Sequence, residues 1–513
     1  MFTPGSWWMF ISGGNNMNCT HAESVLSKLA MGGIGLVSIL SIMGCAVGPD
    51  FVRPEPPPVD RYTHGTEPTA SIPAEGKEQR FEKGAAVVAD WWKLFNSSKL
   101  HEIIKEALAN NQTLQAAQAR LRQSQDNLRA GYGVFYPQLD ASFDAARLKS
   151  SQVRFGGNAA SSIFNLYTLT GAINYALDVF GGNRRAVESL EAQVDFQHYT
   201  VLGTYLSLSG NIVNTVIAAA AYNAQIEATE QIIIAEKEQI RITAAQVEAG
   251  TVPYVNMLSL KSQMAATEAT IPQLQQKISQ AEHLLATLVG RTPAEWAPPR
   301  FDLADLTLPS DLPITLPSEL VRQRPDILAV EAQLGSANAE IGVATAALFP
   351  SFTLNGTYGL NNTSLSDLFK SASSFWSLGA NVAAPLFHGG ALWSQRQAAI
   401  EGYQEALANY RQTVLSAFAQ VADTLRALEH DAETLQAQSH ALIAAEEALQ
   451  LIQASYQAGI ANYLQVLIAN GQYHQAQIGY LQALAQRFQD TVALFVSLGG
   501  GWWNAEEKTP GSS

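Results

Sequence analysis

VEAGTVPY at residues 247–254 and YQAGIANY at residues 456–463 are two versions of one segment, placed 209 positions apart. Each lies at the end of a long Ala/Gln-rich stretch without proline, residues 184–249 in the first copy and 391–458 in the second. The shared glycine of each segment suits the position just past a helix end, where a left-handed backbone is needed. The first stretch has 66 residues, enough for a helix of ~99 Å. The repeat therefore predicts two very long helices, each ending at a sharp tip.

A shorter helical pattern follows each tip. It covers residues 253–289 in the first copy and 462–498 in the second, 37 residues each. Proline suits the first turn of a helix, so Pro253 favours a start there. Pro272 is expected to bend the first of these helices, because proline removes one backbone hydrogen bond. Each copy is thus predicted to be a helical hairpin with one long arm and one short arm.

Two more helices are predicted at residues 99–130 and 318–346, with 32 and 29 residues. Added to a short arm of 37 residues, they give 69 and 66 residues, close to the length of one long helix. We therefore expect two short helices stacked end to end alongside each long helix, giving four columns of ~100 Å. A duplicated unit of this kind buries its faces against its own copy or against other chains.

Four stretches alternate between apolar and polar side chains, with a period of two residues. They are residues 138–145, 173–179, 351–360 and 376–386. This alternation is typical of strands in a membrane β-barrel. It is equally typical of half-buried strands in a soluble sheet, and the pattern alone does not decide between the two. An export signal at the N-terminus favours the barrel.

The N-terminal region has the layout of a secretory signal. Lys28 precedes an apolar run at residues 29–43, which is too short to span a membrane as a helix. Ile42-Met43-Gly44-Cys45 resembles the bacterial lipobox, in which the cysteine becomes the acylated first residue. The alternative is a plain signal peptide with an incidental cysteine. Met17 is a second candidate for the first residue of the translated protein. The resemblance to a lipoprotein also implies that Ala46, the residue after the cysteine, favours sorting to the outer membrane.

The strands also set the number of chains. Four strands cannot close a barrel, and an open strand edge is not tolerated in lipid. Two copies would give eight strands, whose interior fills with side chains. Three copies give twelve strands and twelve helical columns. The predicted fold class is mainly α with a membrane β-barrel. Its repeated unit is a strand pair followed by a long helical hairpin. Three chains are predicted to form a 12-stranded barrel on a 12-helix periplasmic α-barrel.

The predicted organisation follows from these segments. Residues 46–96 are rich in proline, glycine and polar residues, so they read as an extended strap rather than a helix. The predicted segments are a lipoprotein-type signal peptide at residues 1–44, a lipid-anchored strap at residues 45–96 and a first repeat at residues 97–290. An equatorial linker at residues 291–317, a second repeat at residues 318–500 and a tail at residues 501–513 follow.

Several motifs occur in an order that resembles a known family. They are Gly44 through Pro54, Asp90-Trp91-Trp92, and the segment from Arg324-Pro325-Asp326 to Phe349-Pro350. This chain resembles the TolC-like outer-membrane efflux factor family, lipoprotein (NodT/OprM-like) branch. The resemblance implies a trimeric channel that docks on a periplasmic adaptor and an inner-membrane pump of the resistance-nodulation-division (RND) type. Arg324-Pro325-Asp326 is interpreted as fold-defining, because proline and aspartate both favour a helix N-terminus.

The two tips are the candidate functional residues. In this arrangement they form the periplasmic mouth and face the adaptor. The candidate contact residues are Gly250, Thr251, Val252, Pro253, Tyr254, Gly459, Ile460, Ala461, Asn462 and Tyr463. Relatives often carry aspartates after the second tip, whereas the matching positions here are Ala461, Gln465 and Ile468. Gln465 and Ile468 are therefore candidates for a polar or hydrophobic entrance constriction, since a ring of apolar side chains gates by dewetting.

Composition argues against several function classes. The formal charge of −14 makes nucleic acid an improbable partner. The two cysteines, Cys19 and Cys45, form no disulfide framework, and the nine histidines are scattered. No catalytic constellation, metal site or cofactor is predicted, apart from a covalent lipid on Cys45.

These observations predict a passive exit duct in the outer membrane, lipid-anchored and with a long periplasmic extension. It would conduct small molecules for a tripartite efflux system of the RND type. One alternative is the outer-membrane channel of a type I protein secretion system. Another is a periplasmic helical lipoprotein scaffold without a pore. An enzyme is the least favoured interpretation, since no cluster of titratable residues is visible.

Overall fold

The computed structural model of the chain describes residues 46–65, 69–74, 78–150 and 162–504. The predicted signal peptide, Cys45 and the tail beyond residue 504 lie outside these described residues. The chain divides into two units. Among the described residues, a sheet unit contains residues 46–47, 138–150, 162–182 and 349–385, and a helical unit contains residues 48–65, 69–74, 78–137, 183–348 and 386–504.

The described residues form six strands and nine α-helices. The strands are β1 Arg80–Lys83, β2 Gln138–Ser150, β3 Ser162–Leu177, β4 Asp311–Ile314, β5 Ser351–Asn362 and β6 Ser374–Ala383. The helices are α1 Ser98–Asn110, α2 Gln112–Gly131, α3 Gly182–Glu248, α4 Tyr254–Glu268, α5 Thr270–Val289, α6 Pro317–Leu320, α7 Pro325–Ala346, α8 Ala391–Gln457 and α9 Tyr463–Ser497.

The sheet unit is an antiparallel sheet with the strand order β2-β3-β5-β6. Leu139 pairs with Ile173, Ile173 with Gly356, and Gly356 with Leu378. Residues that pair directly across strands point to the same face, so the apolar positions of all four strands share one face. The predicted alternation is confirmed in register. Strand lengths differ from prediction, because β3 begins earlier, at residue 162, and β6 ends at residue 383.

A second, small sheet was not predicted from the sequence. β1 and β4 pair in parallel, with Phe81 opposite Leu312. β1 belongs to the predicted strap and β4 to the predicted linker, so two segments in which no strand was predicted pair with each other. The linker is buried at Phe301, Leu312 and Ile314, each 2% exposed or less. It therefore belongs to the core of the helical unit.

The two long helices are confirmed. α3 and α8 contain 67 residues each, about 100 Å at 1.5 Å per residue. α3 includes an 18-residue stretch apolar enough to cross a membrane, but half of that stretch is buried inside the protein. Burial of this kind is what a core helix shows when neighbouring helices cover it.

The shorter helices are more interrupted than the sequence predicts. Residues 99–130 form two helices, α1 and α2, with a break at Asn111, whose side chain accepts a hydrogen bond from the Leu114 amide at 2.9 Å. Asparagine favours such a cap over a helix interior. Residues 318–346 are broken ahead of Pro325, because proline holds the preceding residue, Arg324, in extended conformation. Pro325 begins α7 and Asp326 lies in its first turn, as the sequence predicts.

The first short arm is also divided in two. α4 ends at Glu268 and α5 begins at Thr270, two residues ahead of Pro272. Pro272 has no backbone N–H to donate to the carbonyl four residues earlier. The expected bend is therefore present as a break at Ala269. α4 begins at Tyr254, with Pro253 in the extended cap position rather than inside the first turn.

The end-to-end stacking of short helices is confirmed at both junctions. In the first repeat, the Asn111 side-chain amide donates to the Leu288 carbonyl at 2.8 Å, joining the end of α5 to the start of α2. In the second repeat, the Arg324 guanidinium donates to the Ser497 carbonyl at 2.9 Å, joining the end of α9 to the start of α7. Each junction satisfies a carbonyl that the helix end leaves free.

The predicted strap docks tightly on the helices. Asn338 of α7 donates to the Pro49 carbonyl at 2.9 Å, and Arg185 of α3 pairs with Asp50 at 2.7 Å. Gly48 has φ +97° and lies so close to Gly342 that a Cβ on Gly48 would lie 2.5 Å from the Gly342 Cα. The glycines at these two positions therefore permit the close approach.

The end of the strap is core rather than strap. Trp91 and Phe95 are fully buried, and the Trp91 ring stacks on Phe495 of α9 with ring centroids 5.4 Å apart. Apolar side chains from the strap, the linker and the helices meet in this one cluster. The last residues of the predicted strap therefore contribute to the core of the helical unit.

Candidate hairpin-tip interface

The first tip, residues 249–254, closes the α3–α4 hairpin. Gly250 has φ +73°, and its amide donates to the Val247 carbonyl at 3.0 Å. The Thr251 amide donates to the Gln246 carbonyl at 2.9 Å. This pair of bonds is the Schellman arrangement, in which the left-handed residue lets the chain turn back onto the last helical turn.

The second tip, residues 458–463, repeats the same geometry. Gly459 has φ +74°, and the Ile460 amide donates to the Ser455 carbonyl at 2.8 Å. The next helix begins with a capping box. The Gln465 amide donates to the Asn462 side chain at 3.1 Å, while the Asn462 amide donates to the Gln465 side chain at 3.0 Å. Reciprocal bonds of this kind fix where a helix starts.

Most predicted contact residues of both tips are accessible in the chain. Ile460 is 83% exposed and Tyr254 is 55% exposed. Val252 and Ala461 are partly covered. Tyr463 departs from the expectation that it faces outward, since only 8% of it is exposed and its ring packs inside the hairpins. Its side chain holds the tip together, whereas the remaining tip residues form the accessible surface.

An aromatic layer just behind the tips joins the two hairpins. Tyr456 and Tyr463 meet edge to face with centroids 6.4 Å apart, against the fully buried Leu260 and Val466. Burial raises the pKa of Tyr463 to about 12, so the phenol stays neutral. Leu260 comes from the first hairpin and the other three side chains from the second. No pattern in the sequence indicates this contact, although Tyr456 lies within the repeated segment.

The two constriction candidates lie on an exposed face of α9. Ile468 is 50% exposed, and Gln465 is exposed on the same face, one turn earlier. The Gln465 side-chain oxygen is occupied by the capping box. Of these two positions, Ile468 therefore presents a side chain that no helix cap holds in place.

A buried polar layer lies deeper in the first hairpin. Glu236 of α3 accepts a hydrogen bond from the Thr267 hydroxyl of α4 at 3.2 Å. Burial raises the pKa of Glu236, and the Thr267 hydroxyl opposes that rise. Gln239 and Thr243, on the same face of α3, are also buried. Among the described residues, Glu236 Oε2, Gln239 Nε2 and Thr243 Oγ1 have no hydrogen-bond partner, so this polar layer is only partly satisfied within the chain.

The sheet unit presents an apolar face that the described chain leaves open. Leu139, Trp376 and Leu378 are each more than 70% exposed. Among the described residues, β2 and β6 each pair with one neighbouring strand. An open sheet edge beside an exposed apolar face is the arrangement that further strands or lipid would cover.

The described residues contain no group of three or more His, Cys, Asp or Glu side chains placed to hold a metal ion. The apolar face of the sheet carries a shallow hollow of about 710 Å³, lined by Ile173, Gly356, Tyr358 and Trp376 among others. Its lining is apolar and carries no titratable cluster.

The model of the outer membrane efflux protein family matches residues 103–291 and 316–500. The chain belongs to this family. The two matched segments follow the two repeats, so the match spans both hairpins of this efflux protein. The assignment to the TolC-like, NodT/OprM-like branch, made from the motifs at residues 44–54 and 324–350, is thereby confirmed.

Relatives and solved structures match this efflux protein over most of its length. Pyoverdine export outer membrane protein OpmQ of Pseudomonas aeruginosa is 30% identical over 422 residues, covering 82% of this chain and 88% of the relative. Nodulation protein T of Rhizobium leguminosarum bv. viciae is 28% identical over 469 residues, covering 90% and 92%. The structure of the outer-membrane channel OprN matches with a TM-score of 0.81 and 28% identity, covering 89% of this chain and 100% of that one.

Proposed function

We propose that this efflux protein is the outer-membrane exit duct of a tripartite RND-type efflux system. It conducts small molecules passively from a pump and adaptor to the exterior. The observation that carries the proposal is the four-stranded sheet, which has an exposed apolar face and whose edge strands, β2 and β6, have no partner on their outer side among the described residues. A lone sheet of this kind is unstable in lipid, whereas a closed barrel satisfies every backbone group.

The barrel is completed by other copies of the chain. Three copies supply twelve strands and twelve helical columns, a number that leaves room for a solute path. The stacked junctions at Asn111 and Arg324 support this count, because they join the short helices into continuous columns beside α3 and α8. The homotrimer is therefore the assembly we expect in the outer membrane.

A covalent lipid on Cys45 anchors the chain to that membrane. The Val47 amide donates to the Phe180 carbonyl at 3.0 Å, just beyond the end of β3. A lipid two residues before Val47 would emerge beside the sheet. The lipobox at residues 42–45 supplies the acylation site.

The two tips bind the periplasmic adaptor, and the adaptor connects the duct to the inner-membrane RND pump. Ile460 and Tyr254 are the largest exposed side chains within the tips and offer apolar contact area. Ile468, with Gln465 beside it, narrows the entrance by a ring of partly apolar side chains. Energy for transport comes from the pump, and we infer that this chain catalyses no reaction, as its relatives are channels.

The test is planar-bilayer conductance of the purified mature protein, with the oligomeric mass measured in the same detergent. A trimer with discrete channels supports the duct. A monomer or dimer without conductance contradicts barrel closure and supports the non-pore scaffold. Strains that lack either the partner RND pump or a type I transporter then distinguish the two export roles. The strain in which the exported substrate accumulates identifies the transporter that this duct serves. Mass spectrometry of the N-terminal peptide tests the lipid on Cys45 independently.

A further inference from the structure

A groove runs along the first hairpin where α5 lies against α3, and it encloses about 490 Å³. A volume of this size is typical of a small-molecule site. The groove belongs neither to the tips nor to the strands. Its lining includes three residues of α3, Asn211, Asn214 and Tyr222, and three of α5, Lys277, Leu284 and Leu288.

One end of this groove carries a positioned positive charge. The Lys277 ammonium lies over the Tyr222 ring, 5.3 Å from the ring centroid, and this cation–π contact holds the charge of α5 against α3. Among the described residues, no Asp or Glu side chain forms an ion pair with this ammonium. A lysine ammonium has three N–H donors, and the aromatic ring occupies one side of it. Its remaining donors are therefore available to an anion in the groove.

Small and apolar side chains continue the groove beyond the cation. Ala218 of α3 and Ala281 of α5 also line it, and their short side chains leave room for a flat molecule. Leu284 follows on α5 and is 48% exposed, so an occupant would cover apolar surface there. Lys277 and Leu284 are seven residues apart, about 10.5 Å along the helix. The groove therefore suits an elongated molecule with a negative group at one end.

The second hairpin does not repeat this chemistry. Its long helix, α8, matches α3 with an offset of 209 positions, since the two begin at residues 391 and 182. The position of Tyr222 is occupied by Asp431 in the second copy. The position of Lys277 is occupied by Gln486. Residues that the shared hairpin fold required would be expected in both copies, so the cation and its aromatic partner are features of the first hairpin alone.

We propose that the groove between α3 and α5 binds elongated organic monoanions, such as carboxylates with a body of two aromatic rings. The carboxylate accepts charge-assisted hydrogen bonds from Lys277. The apolar body lies along the alanines and reaches Leu284, where burial of apolar surface adds to the affinity. Binding of this kind does not depend on the proposed exit-duct function, because it can be measured on a protein that conducts nothing.

The experiment titrates the purified full-length protein in detergent with a fluorinated biphenyl carboxylate and follows binding by fluorine NMR, with detergent alone as the blank. The neutral carboxamide and the cationic amidine of the same biphenyl are the comparison probes. The three probes share their apolar body, so differences among them report on charge. The carboxylate should bind roughly fivefold more tightly than the carboxamide, as expected for one ion pair at a partly exposed site. The amidine should bind more weakly than both.

Three variants locate the binding. Lys277→Met should bind the carboxylate no more tightly than the carboxamide, and Lys277→Glu should prefer the amidine. Lys261→Met is the matched control, because Lys261 is an exposed lysine on α4 outside the groove, and this variant should bind as the wild type does. A wild type that binds the three probes equally, or a Lys277→Met variant that keeps the preference for the carboxylate, overturns the proposal.

A second measurement distinguishes ligand binding from a contact between copies of the chain. The oligomeric mass of the Lys277→Met and Lys261→Met variants is determined in the same detergent. Both variants should keep the mass of the wild type, because the proposed partner of Lys277 is a small anion. A lower mass for Lys277→Met alone would assign the lysine to a contact between copies and would overturn the proposal.

Discussion

The hydroxyl of Tyr456 donates a hydrogen bond to the side-chain oxygen of Gln246 at 3.0 Å, joining the last turns of α8 and α3. The two residues are 210 positions apart, so they occupy nearly the same place in the two repeats. One copy contributes the donor and the other the acceptor. The ends of the two long helices are thereby tied together directly behind the tips.

Replacing Tyr456 by phenylalanine should loosen this tie. The substitution keeps the ring and its packing but leaves the Gln246 oxygen without its donor, at a cost of about 1 kcal/mol. We expect more frequent or larger open states in single-channel recordings and faster proteolysis at residues 249–254. Tyr254→Phe is the matched control, because Tyr254 is exposed. Identical recordings from both variants would contradict a role for the bond.

Ile468→Ala should raise single-channel conductance. The side chain is half exposed on α9. If three copies form the proposed entrance ring, truncation would widen and wet it. Ile443→Ala serves as the control, since Ile443 has similar exposure, at 53%, but lies on α8. Unchanged conductance in the Ile468→Ala trimer would remove this residue from the entrance.

Gly459→Ala should destabilise the second tip through the backbone alone. A Cβ at Gly459 would meet nothing within 4 Å, but φ is +74°. An L-residue there costs about 1 kcal/mol. Gly402 lies inside α8, and a Cβ there also has open space, without a positive φ. Gly402→Ala should therefore stabilise by roughly 0.5–1 kcal/mol. Denaturant midpoints that shift in the same direction for both variants would refute the backbone argument.

Arg324→Lys should weaken the junction between α9 and α7. The buried guanidinium donates to Ser497, Asp326 and Gln420, and an ammonium cannot reproduce that planar set of bonds. We expect a loss of about 2 kcal/mol in the free energy of unfolding. Arg322→Lys, two residues away and exposed, should change it little. Equal losses in the two variants would show that the junction does not depend on the guanidinium.

Arg53 of the strap forms an ion pair with Glu331 of α7. We therefore expect the stability of an Arg53→Ala variant to depend on pH. Burial raises the pKa of Glu331, and Arg53 opposes that rise, so removing Arg53 raises the pKa further. The folded variant then favours the protonated carboxyl, and its stability falls as the pH rises through the raised pKa.

The free energy of unfolding of the Arg53→Ala variant should therefore be lower by about 1 kcal/mol near neutral pH, and by less near pH ~5. The loss is limited because about half of the Arg53 side chain is exposed to solvent. Denaturant midpoints at the two pH values measure this difference. Adding Glu331→Gln to the variant should abolish the pH dependence. A dependence that survives the second substitution belongs to another group.

Local signals explain what the sequence predicts well. Gly250 and Gly459 end helices because glycine takes positive φ at no cost, and that property is visible in one residue and its neighbours. Strict alternation in the strand stretches predicts their shared apolar face for the same reason. The tips, the long helices and the strand faces were therefore accessible from the sequence.

Contacts between distant segments explain what the sequence did not predict. The pairing of β1 with β4 joins residues about 230 positions apart, and neither segment alternates clearly. Burial of Tyr463 depends on Leu260 from the other hairpin. The break at Asn111 occurs beside the end of α5, whose Leu288 carbonyl accepts a hydrogen bond from the Asn111 side chain. No window along the chain contains both partners of these contacts.

α3 and α8 have the same number of residues, 67, and both end at a glycine tip. An insertion of one helical turn in only one of them would shift its tip by about 5.4 Å relative to the other. It would also separate Tyr456 from Gln246. Changes of length in this lineage must therefore be inherited in matched pairs, one in each half of the gene, with equal additions to the returning arms.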